Sequence, residues 1–397
     1  MQRNVFSVVV LCYKHFEYIK QAISSVLSQD YASVELVVSD DGSANFPKGE
    51  IESFIRMNQG RNITRVLVRQ EEHNAGTVRH LNHAKECCTG EYIAFLAGDD
   101  VFASNQVLSK YVEGFEDAPE NCYIQMAQTG MYDENLEVLE NYYLKPFVAE
   151  ALMHTTEQTD ELMRCLLLYG PCLPSTSTCF RHRFFEKFGS FNETYKLVED
   201  YPMHIRLAEE RWIIHYHNFV AIKHRHGGIS HGQIQATAAF SALYYNDLKN
   251  LWEKEVLTRL DFLIEEDAQC VKKRCNAEIL WIKTQIAKAQ GNYLTVASLG
   301  LTHPLIATKY LLEKLYPIYF PIKRTFLPVA LLLWLVMPTA CEMVALVTGW
   351  DTFPVQSILY RATWILAGIW ALSFLCWCCI TLIWKTERFP PYIITIE

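Results

Sequence analysis

Short apolar runs and longer amphipathic stretches alternate along the first hundred residues. Residues 6–11 form a β-branched apolar run, which predicts a strand, and Phe16, Ile19, Ile23, Val26 and Leu27 then recur at helical spacing. The pattern repeats. Residues 34–38 predict a second strand, Ile51, Phe54 and Ile55 a helix, and residues 65–68 a third strand. Asn74-Ala75-Gly76-Thr77 opens a helix through Leu81 and Ala84 to Cys88, and residues 92–96 make a fourth, buried strand. Strands alternating with helices of this length predict a doubly wound α/β domain with a parallel sheet.

Further on, a helix is predicted from Glu199-Asp200 to about Trp212, and residues 212–220 alternate as a strand does, with His215 and His217 on one face. From 233 to about 317 the chain reads as helices, with Leu248, Leu251, Trp252, Val256, Leu260 and Leu263 at helical intervals. Residues 326–347 are strongly apolar, interrupted by Pro328, Pro338 and Glu342, and residues 362–384 carry no charge. Each is long enough to span a bilayer. Lys314, Lys323 and Arg324 precede the first, and Lys385 and Arg388 follow the second. This arrangement predicts a hairpin with both ends in the cytoplasm.

The strand at 92–96 ends in Ala97-Gly98-Asp99-Asp100. Open α/β sheets bind ligands at the C-terminal ends of their strands. Two adjacent carboxylates repel each other unless positive charge lies beside them, and a divalent cation meets that need. Taken alone, the doublet reads more readily as a solvated acidic turn, and its surroundings reverse that preference. The same edge would gather Tyr13, Asp40, Asp41 and Asp99 from three strand ends.

Composition narrows the choice. The 36 Lys and Arg against 44 Asp and Glu give a net charge of −8, which argues against broad nucleic-acid binding. The 13 cysteines fall mostly in apolar or helical stretches without metal-knuckle spacing, as reduced cytosolic thiols do. The apolar run at residues 5–12 is too short for a signal core and is read as the first strand.

Residues 5–230 resemble a family 2 glycosyltransferase of the GT-A fold. The resemblance is carried by Ser7-Val8-Val9-Val10 with Tyr13, Ser39-Asp40-Asp41-Gly42-Ser43, Asn74-Ala75-Gly76 and Leu96-Ala97-Gly98-Asp99-Asp100. Phe180-Arg181, Phe188-Gly189-Ser190-Phe191, Glu199-Asp200 and His226-Gly227-Gly228-Ile229-Ser230 follow in order. It implies a Rossmann-like nucleotide-sugar-binding domain in which Asp40 bonds the base or ribose and Tyr13 lies beside the base. Asp41, Asn74 and Gly76 fall in the same nucleotide-sugar motifs. By the same resemblance Asp99 binds the metal, Mn²⁺ or Mg²⁺, with Asp100 in support. Asp200 is the base that takes the acceptor's proton, with Glu199 second, and His226 reaches the metal or the diphosphate. Arg79 and Lys14 are candidates to neutralise phosphate. Where the family often has Asp-x-Asp, this chain has Ala97-Gly98-Asp99. Glu199-Asp200 also suits a helix N-terminus without catalysis, through the macrodipole.

These readings divide the chain into a GT-A domain at 1–232, a helical connector at 233–322 and a transmembrane hairpin with its tail at 323–397. They imply an inverting transferase at the cytoplasmic face of the inner membrane. It would move sugar from a nucleotide diphosphate donor to a glycan or lipid-linked acceptor in envelope polysaccharide or glycolipid assembly, with no nucleic-acid partner. A processive synthase is disfavoured, because Glu209-Glu210-Arg211-Trp212 lacks the Gln of the Gln-x-x-Arg-Trp motif. The alternative of another class is a non-catalytic, membrane-anchored glycan- or sugar-nucleotide-binding protein that kept the fold.

Overall fold

The computed structural model describes residues 2–226 and 238–302. The predicted membrane hairpin lies outside the described residues. Among the described residues no helix is long and apolar enough to cross a membrane.

The first part of the chain alternates as its pattern predicts: β1 (Gln2–Cys12), α1 (Ile19–Leu27), β2 (Val34–Asp40), α2 (Lys48–Asn58), β3 (Ile63–Gln70), α3 (Thr77–Glu86) and β4 (Gly90–Ala97). These four strands are parallel in the order β3-β2-β1-β4. Next come β5 (Val101–Phe102), α4 (Val107–Asp117), β6 (Ile124–Tyr132), β7 (Leu139–Tyr142), α5 (Pro146–Met153), α6 (Glu161–Tyr169), β8 (Thr178–Arg181), α7 (His182–Phe188), α8 (Asp200–Glu209) and β9 (Ile214–Arg225). The sheet continues from β4 through β8, β6 and β9 to β5, with β8 antiparallel to β4 and β6 parallel to β9.

Side chains of successive strand residues point to opposite faces, and the two cores follow that period. Phe6, Val8 and Val10 of β1 join Leu36, Val38, Tyr92, Ala94 and Leu96 in one core, closed by α1, α2 and α4. Val9, Val37 and Ile93 face the other core with α3, α6, α7 and α8. The helices after the sheet enter this second core. Leu251 of α9 (Ala238–Leu251), Trp252 and Val256 of the π-helical turn after it, and Val271, Cys275, Ile279 and Ile282 of α10 (Glu265–Ala289) are buried in it. Residues 1–291 thus include one compact unit of sheet and helices. The helix α11 (Tyr293–Thr302) is the described part of a second unit.

The C-terminal ends of β2 and β4, which shape the sheet edge, run past their expected positions. β2 runs two residues beyond 38, so Ser39 and Asp40 are fully buried strand residues, with Asp40 paired in register to Cys12 and Gln70. The parallel ladder has backbone bonds on both sides here, which outweighs the turn preference of Asp. β4 ends at Ala97, and Gly98 follows because its backbone N–H donates to the Leu11 carbonyl at 2.7 Å. A Cβ at this position would lie 3.0 Å from that same oxygen.

Beneath the edge, the Ser39 hydroxyl lies 2.8 Å from His80 Nε2 and accepts from Arg69 Nη1 at 3.0 Å. Burial pushes the His80 imidazole down to about 4. The native state therefore binds fewer protons than the unfolded chain between this value and the ordinary histidine range, and stability is lost as pH falls through that window. Denaturant titrations from pH 7 to pH 4 are expected to show this loss, with His80 contributing about 3 kcal/mol to it. His80→Gln is expected to flatten that part of the profile. An unchanged acid slope would show that His80 is not the group responsible.

Candidate functional site

The parallel strands end together, with Leu11 beside Ala97 and Cys12 beside Asp40, and the crevice between the ends of β1 and β4 lies where the strand order reverses. Tyr13 leaves β1 here, half-buried, with the Lys14 ammonium 4.7 Å from its ring centre. Asp99 leaves β4 on the other side of the crevice, also half-buried.

The acids predicted at this edge divide by what already fills their lone pairs. Asp40 accepts from the Ser43 N–H at 2.7 Å, the Ser43 hydroxyl at 2.6 Å and Gln70 Nε2 at 3.1 Å. It is fully buried, and these bonds fix the turn at residues 40–43. Asp41 accepts from the backbone N–H groups of Ala75 at 2.7 Å and Gly76 at 3.1 Å, and from Asn74 Nδ2 at 2.9 Å. Burial raises the Asp41 carboxyl against the lowering effect of those two N–H groups. Asn74 and Gly76 are thus held as a loop by Asp41. Arg79 pairs with Glu193 at 3.2 Å.

Asp100 is fully buried and turned away from the crevice. It accepts from the Arg225 backbone N–H at 2.9 Å and lies 2.9 Å from His224 Nδ1. Burial alone would depress the His224 imidazole, but the Asp100 carboxylate beside it raises it. Asp100 therefore clasps the end of β4 to the end of β9. Asp99 differs, since among the described residues no other residue's side chain hydrogen-bonds its carboxylate. Burial and the Asp100 charge raise it, with His224 and Arg225 opposing. A desolvated carboxylate at a crevice, left out of its neighbours' hydrogen bonding, suits a divalent cation that takes its other ligands from a bound ligand. Among the described residues no group of three or more His, Cys, Asp or Glu gathers to hold a metal. His226 is half exposed and lies 3.7 Å from Glu140.

Two residues at this edge escaped the sequence reading. Arg225 is almost fully buried, donating from Nε to the Asp99 carbonyl at 2.9 Å, from Nη1 to the Glu134 carbonyl and from Nη2 to Gln21 Oε1 at 2.8 Å, with Tyr18's ring centre at 3.7 Å. His204, one helical turn after Asp200, is fully buried, and among the described residues neither ring nitrogen has a hydrogen-bond partner. Its local signal is only its place at i+4 from an acid.

Glu199 and Asp200 stand at the start of α8 as predicted, but Glu199 at the N-cap position makes no side-chain capping bond. Asp200 Oδ1 accepts from the N–H of the following residue, Tyr201, at 2.7 Å. Asp200 thus meets one first-turn N–H of α8, while Glu199 makes no capping bond. Burial, then the adjacent Asp200 charge, hold the Glu199 carboxyl well above the usual carboxylate range.

The glycosyl transferase family 2 model matches residues 7–186. Among curated proteins, the chain is 26% identical over 201 residues to an uncharacterized glycosyltransferase of Haemophilus influenzae, covering 49% of this chain and 57% of the relative. It is 26% identical over 224 residues to one of Rickettsia conorii, covering 56% of this chain and 34% of the relative. The chain thus spans from about a third to somewhat over half the length of these relatives. Among solved structures, S. aureus TarS 1–349 in complex with UDP-GlcNAc matches with a TM-score of 0.48 at 18% identity, covering 73% of this chain and 81% of that one.

The raised carboxyl of Glu199 has a stability consequence. The native state binds more protons than the unfolded chain above the ordinary carboxylate range, so Glu199 destabilises the fold increasingly as pH rises through its folded value. Chemical denaturation of Glu199→Gln is expected to show a gain over the wild type that is larger at pH 9 than at pH 5. A gain independent of pH would show that Glu199 ionises as an ordinary carboxylate. The strand ends and the acids gathered at them fall on the stretch, residues 7–186, that matches the glycosyl transferase family 2 model.

Proposed function

We propose that the chain is an inverting, metal-dependent glycosyltransferase taking sugar from a nucleotide diphosphate donor bound at the crevice between β1 and β4. The observation that carries this reading is the division of the edge acids. Asp40, Asp41 and Asp100 are used up in building the edge, while Asp99 and Tyr13 are left at the crevice. Tyr13 supplies a ring face for the base, and the loop of Asn74 to Gly76, fixed by Asp41, supports the donor. Asp99 is the residue that would hold a divalent cation, which when bound supplies positive charge to the departing diphosphate.

Asp200 takes the proton of the acceptor hydroxyl as that oxygen forms its bond to the anomeric carbon. The bond from that carbon to the diphosphate breaks with its electron pair on the leaving group. The Glu199 carboxyl beside Asp200 is held well above the usual carboxylate range by burial and by the Asp200 charge. The acceptor is a glycan or lipid-linked saccharide. The uncharged stretch at 362–384 and the apolar stretch at 326–347, with basic flanks at Lys323, Arg324, Lys385 and Arg388, support anchorage at the cytoplasmic face of the membrane.

The test of the chemistry is turnover of a panel of nucleotide sugars with Mn²⁺ or Mg²⁺ by the wild type, Asp99→Ala and Asp200→Asn. The wild type is expected to turn over one donor, and Asp99→Ala to lose metal-dependent nucleotide binding. Asp200→Asn should bind donor normally but lose about 10²–10⁴ of transfer rate. Equal nucleotide binding in chelator and in Mn²⁺ would refute the metal role, and near-full transfer by Asp200→Asn would refute the base. No turnover by the wild type, with donor still bound, would favour a non-catalytic binding protein.

Anchorage is tested separately by ending the chain after Pro321. The shortened protein is expected to leave the membrane fraction and still bind nucleotide. Sedimentation with membranes as before would refute the anchor.

A further inference from the structure

We propose that Asp247, on α9 beyond the family-matched stretch, is a positioning residue that couples the donor loop to the acidic pair at the start of α8. The inference rests on the donor-site reading above. Residues 195–198 run between the two halves of that site. On one side the Lys196 carbonyl accepts from the Val78 N–H at 3.2 Å, in the first turn of α3. The same oxygen lies 2.9 Å from where a Cβ on Gly76 would stand, and Gly76 has φ +85°. Gly76 is in turn bonded to Asp41, so the carbonyl of Lys196 forms the back wall of the donor loop. On the other side the segment passes directly into Glu199 and Asp200.

So short a segment with contacts on both halves needs an outside anchor to keep its place, and α9 supplies it. The backbone N–H groups of Lys196 and Leu197 both donate to Asp247 Oδ2, each at 2.7 Å, and Asp247 is 3% exposed. A carboxylate oxygen that takes two N–H groups at this distance makes charge-assisted bonds, stronger than those to a neutral acceptor. A second tie runs from the Tyr195 hydroxyl to Glu255 Oε1 at 2.9 Å. Glu255 is paired with Arg259 at 3.2 Å, and Arg259 reaches Glu209 at the C-terminal end of α8 at 2.8 Å. The helical segment thus grips α8 at its far end and the chain that enters it at the near end. A shift of the 195–198 segment moves the wall behind Gly76 and the approach to Asp200 together, which is the coupling proposed.

The test uses the full chain and asks for more than stability. Affinity for UDP, GDP and dTDP with Mn²⁺ is measured by calorimetry, and hydrogen exchange of residues 194–201 is followed with and without the nucleotide that binds. In the wild type, nucleotide is expected to slow exchange in 194–201. In Asp247→Asn, affinity is expected to fall about tenfold, the scale of one weakened charge-assisted bond, and the slowing at 194–201 to disappear. Tyr195→Phe keeps the packed ring and removes only the second tie, so it carries the same test if Asp247→Asn does not fold. It is expected to lose part of the slowing. Wild-type affinity and wild-type slowing in a folded Asp247→Asn, or full slowing in Tyr195→Phe where Asp247→Asn fails to fold, would overturn the coupling and leave the donor site standing. A wild type that binds none of the three nucleotides would overturn both.

Discussion

The guanidinium of Arg225 is a buried charge that the donor edge has to satisfy, and the arrangement of that edge follows from how it does so. Taking such a group out of water costs several kcal/mol unless its donors are met. They are met by the carbonyls of Asp99 and Glu134 and the amide of Gln21, with the Tyr18 ring stacked close by. These partners come from β4, from the chain between β6 and β7, and from α1. One side chain therefore holds three separate parts of the fold at one end of the sheet. The carboxylate of Asp100 completes the clasp by accepting from the Arg225 backbone and pairing with His224. The backbone position of Asp99 is fixed as a result, while its carboxylate is left out of the network.

Four aspartates near the strand ends look alike as residues and differ in function because of their partners. Asp40 and Asp41 each accept several bonds from the loops they close, and Asp100 serves the clasp. A carboxylate whose lone pairs are filled by neighbours is a structural element, and a nucleotide or metal would have to displace those bonds to reach it. Among the described residues no side chain hydrogen-bonds the Asp99 carboxylate, which takes only its own backbone N–H. At the start of α8, Glu199 and Asp200 sit half-buried, and among the described residues Glu199 makes no side-chain capping bond while Asp200 accepts from the adjacent Tyr201 N–H.

The helices after the sheet belong to the same core as the helices that flank it. Trp252 packs edge-on against Tyr201 of α8 at 6.4 Å, and Arg274 of α10 donates to the carbonyls of Leu167 and Leu168 at the end of α6. The region from α9 to α10 therefore bears on the geometry around α8, although its sequence carries no motif that announces a role.

Much of the fold was legible because it is written in local periodicity. The β-branched run of β1 and the alternation of strand with amphipathic helix depend on neighbours a few residues apart, and so does the Gly98 stop. The placement of acids at strand ends was legible for the same reason, and so was the start of α8 at Glu199-Asp200. The state of those acids was not. Asp100 meets its partner 125 residues away, Asp41 meets the Ala75 N–H 34 residues away and Asp247 meets Lys196 across 51. Arg225 gave no local signal and His204 only its spacing from Asp200, since a basic residue at the end of a strand and a histidine within a helix are unremarkable until burial and partners are known. Apolar patterning decides which face of an element is covered. Only the packed structure decides which polar groups are left unsatisfied at its edge, because a hydrogen bond is settled by atoms brought to within about 3 Å and those atoms lie far apart in the chain.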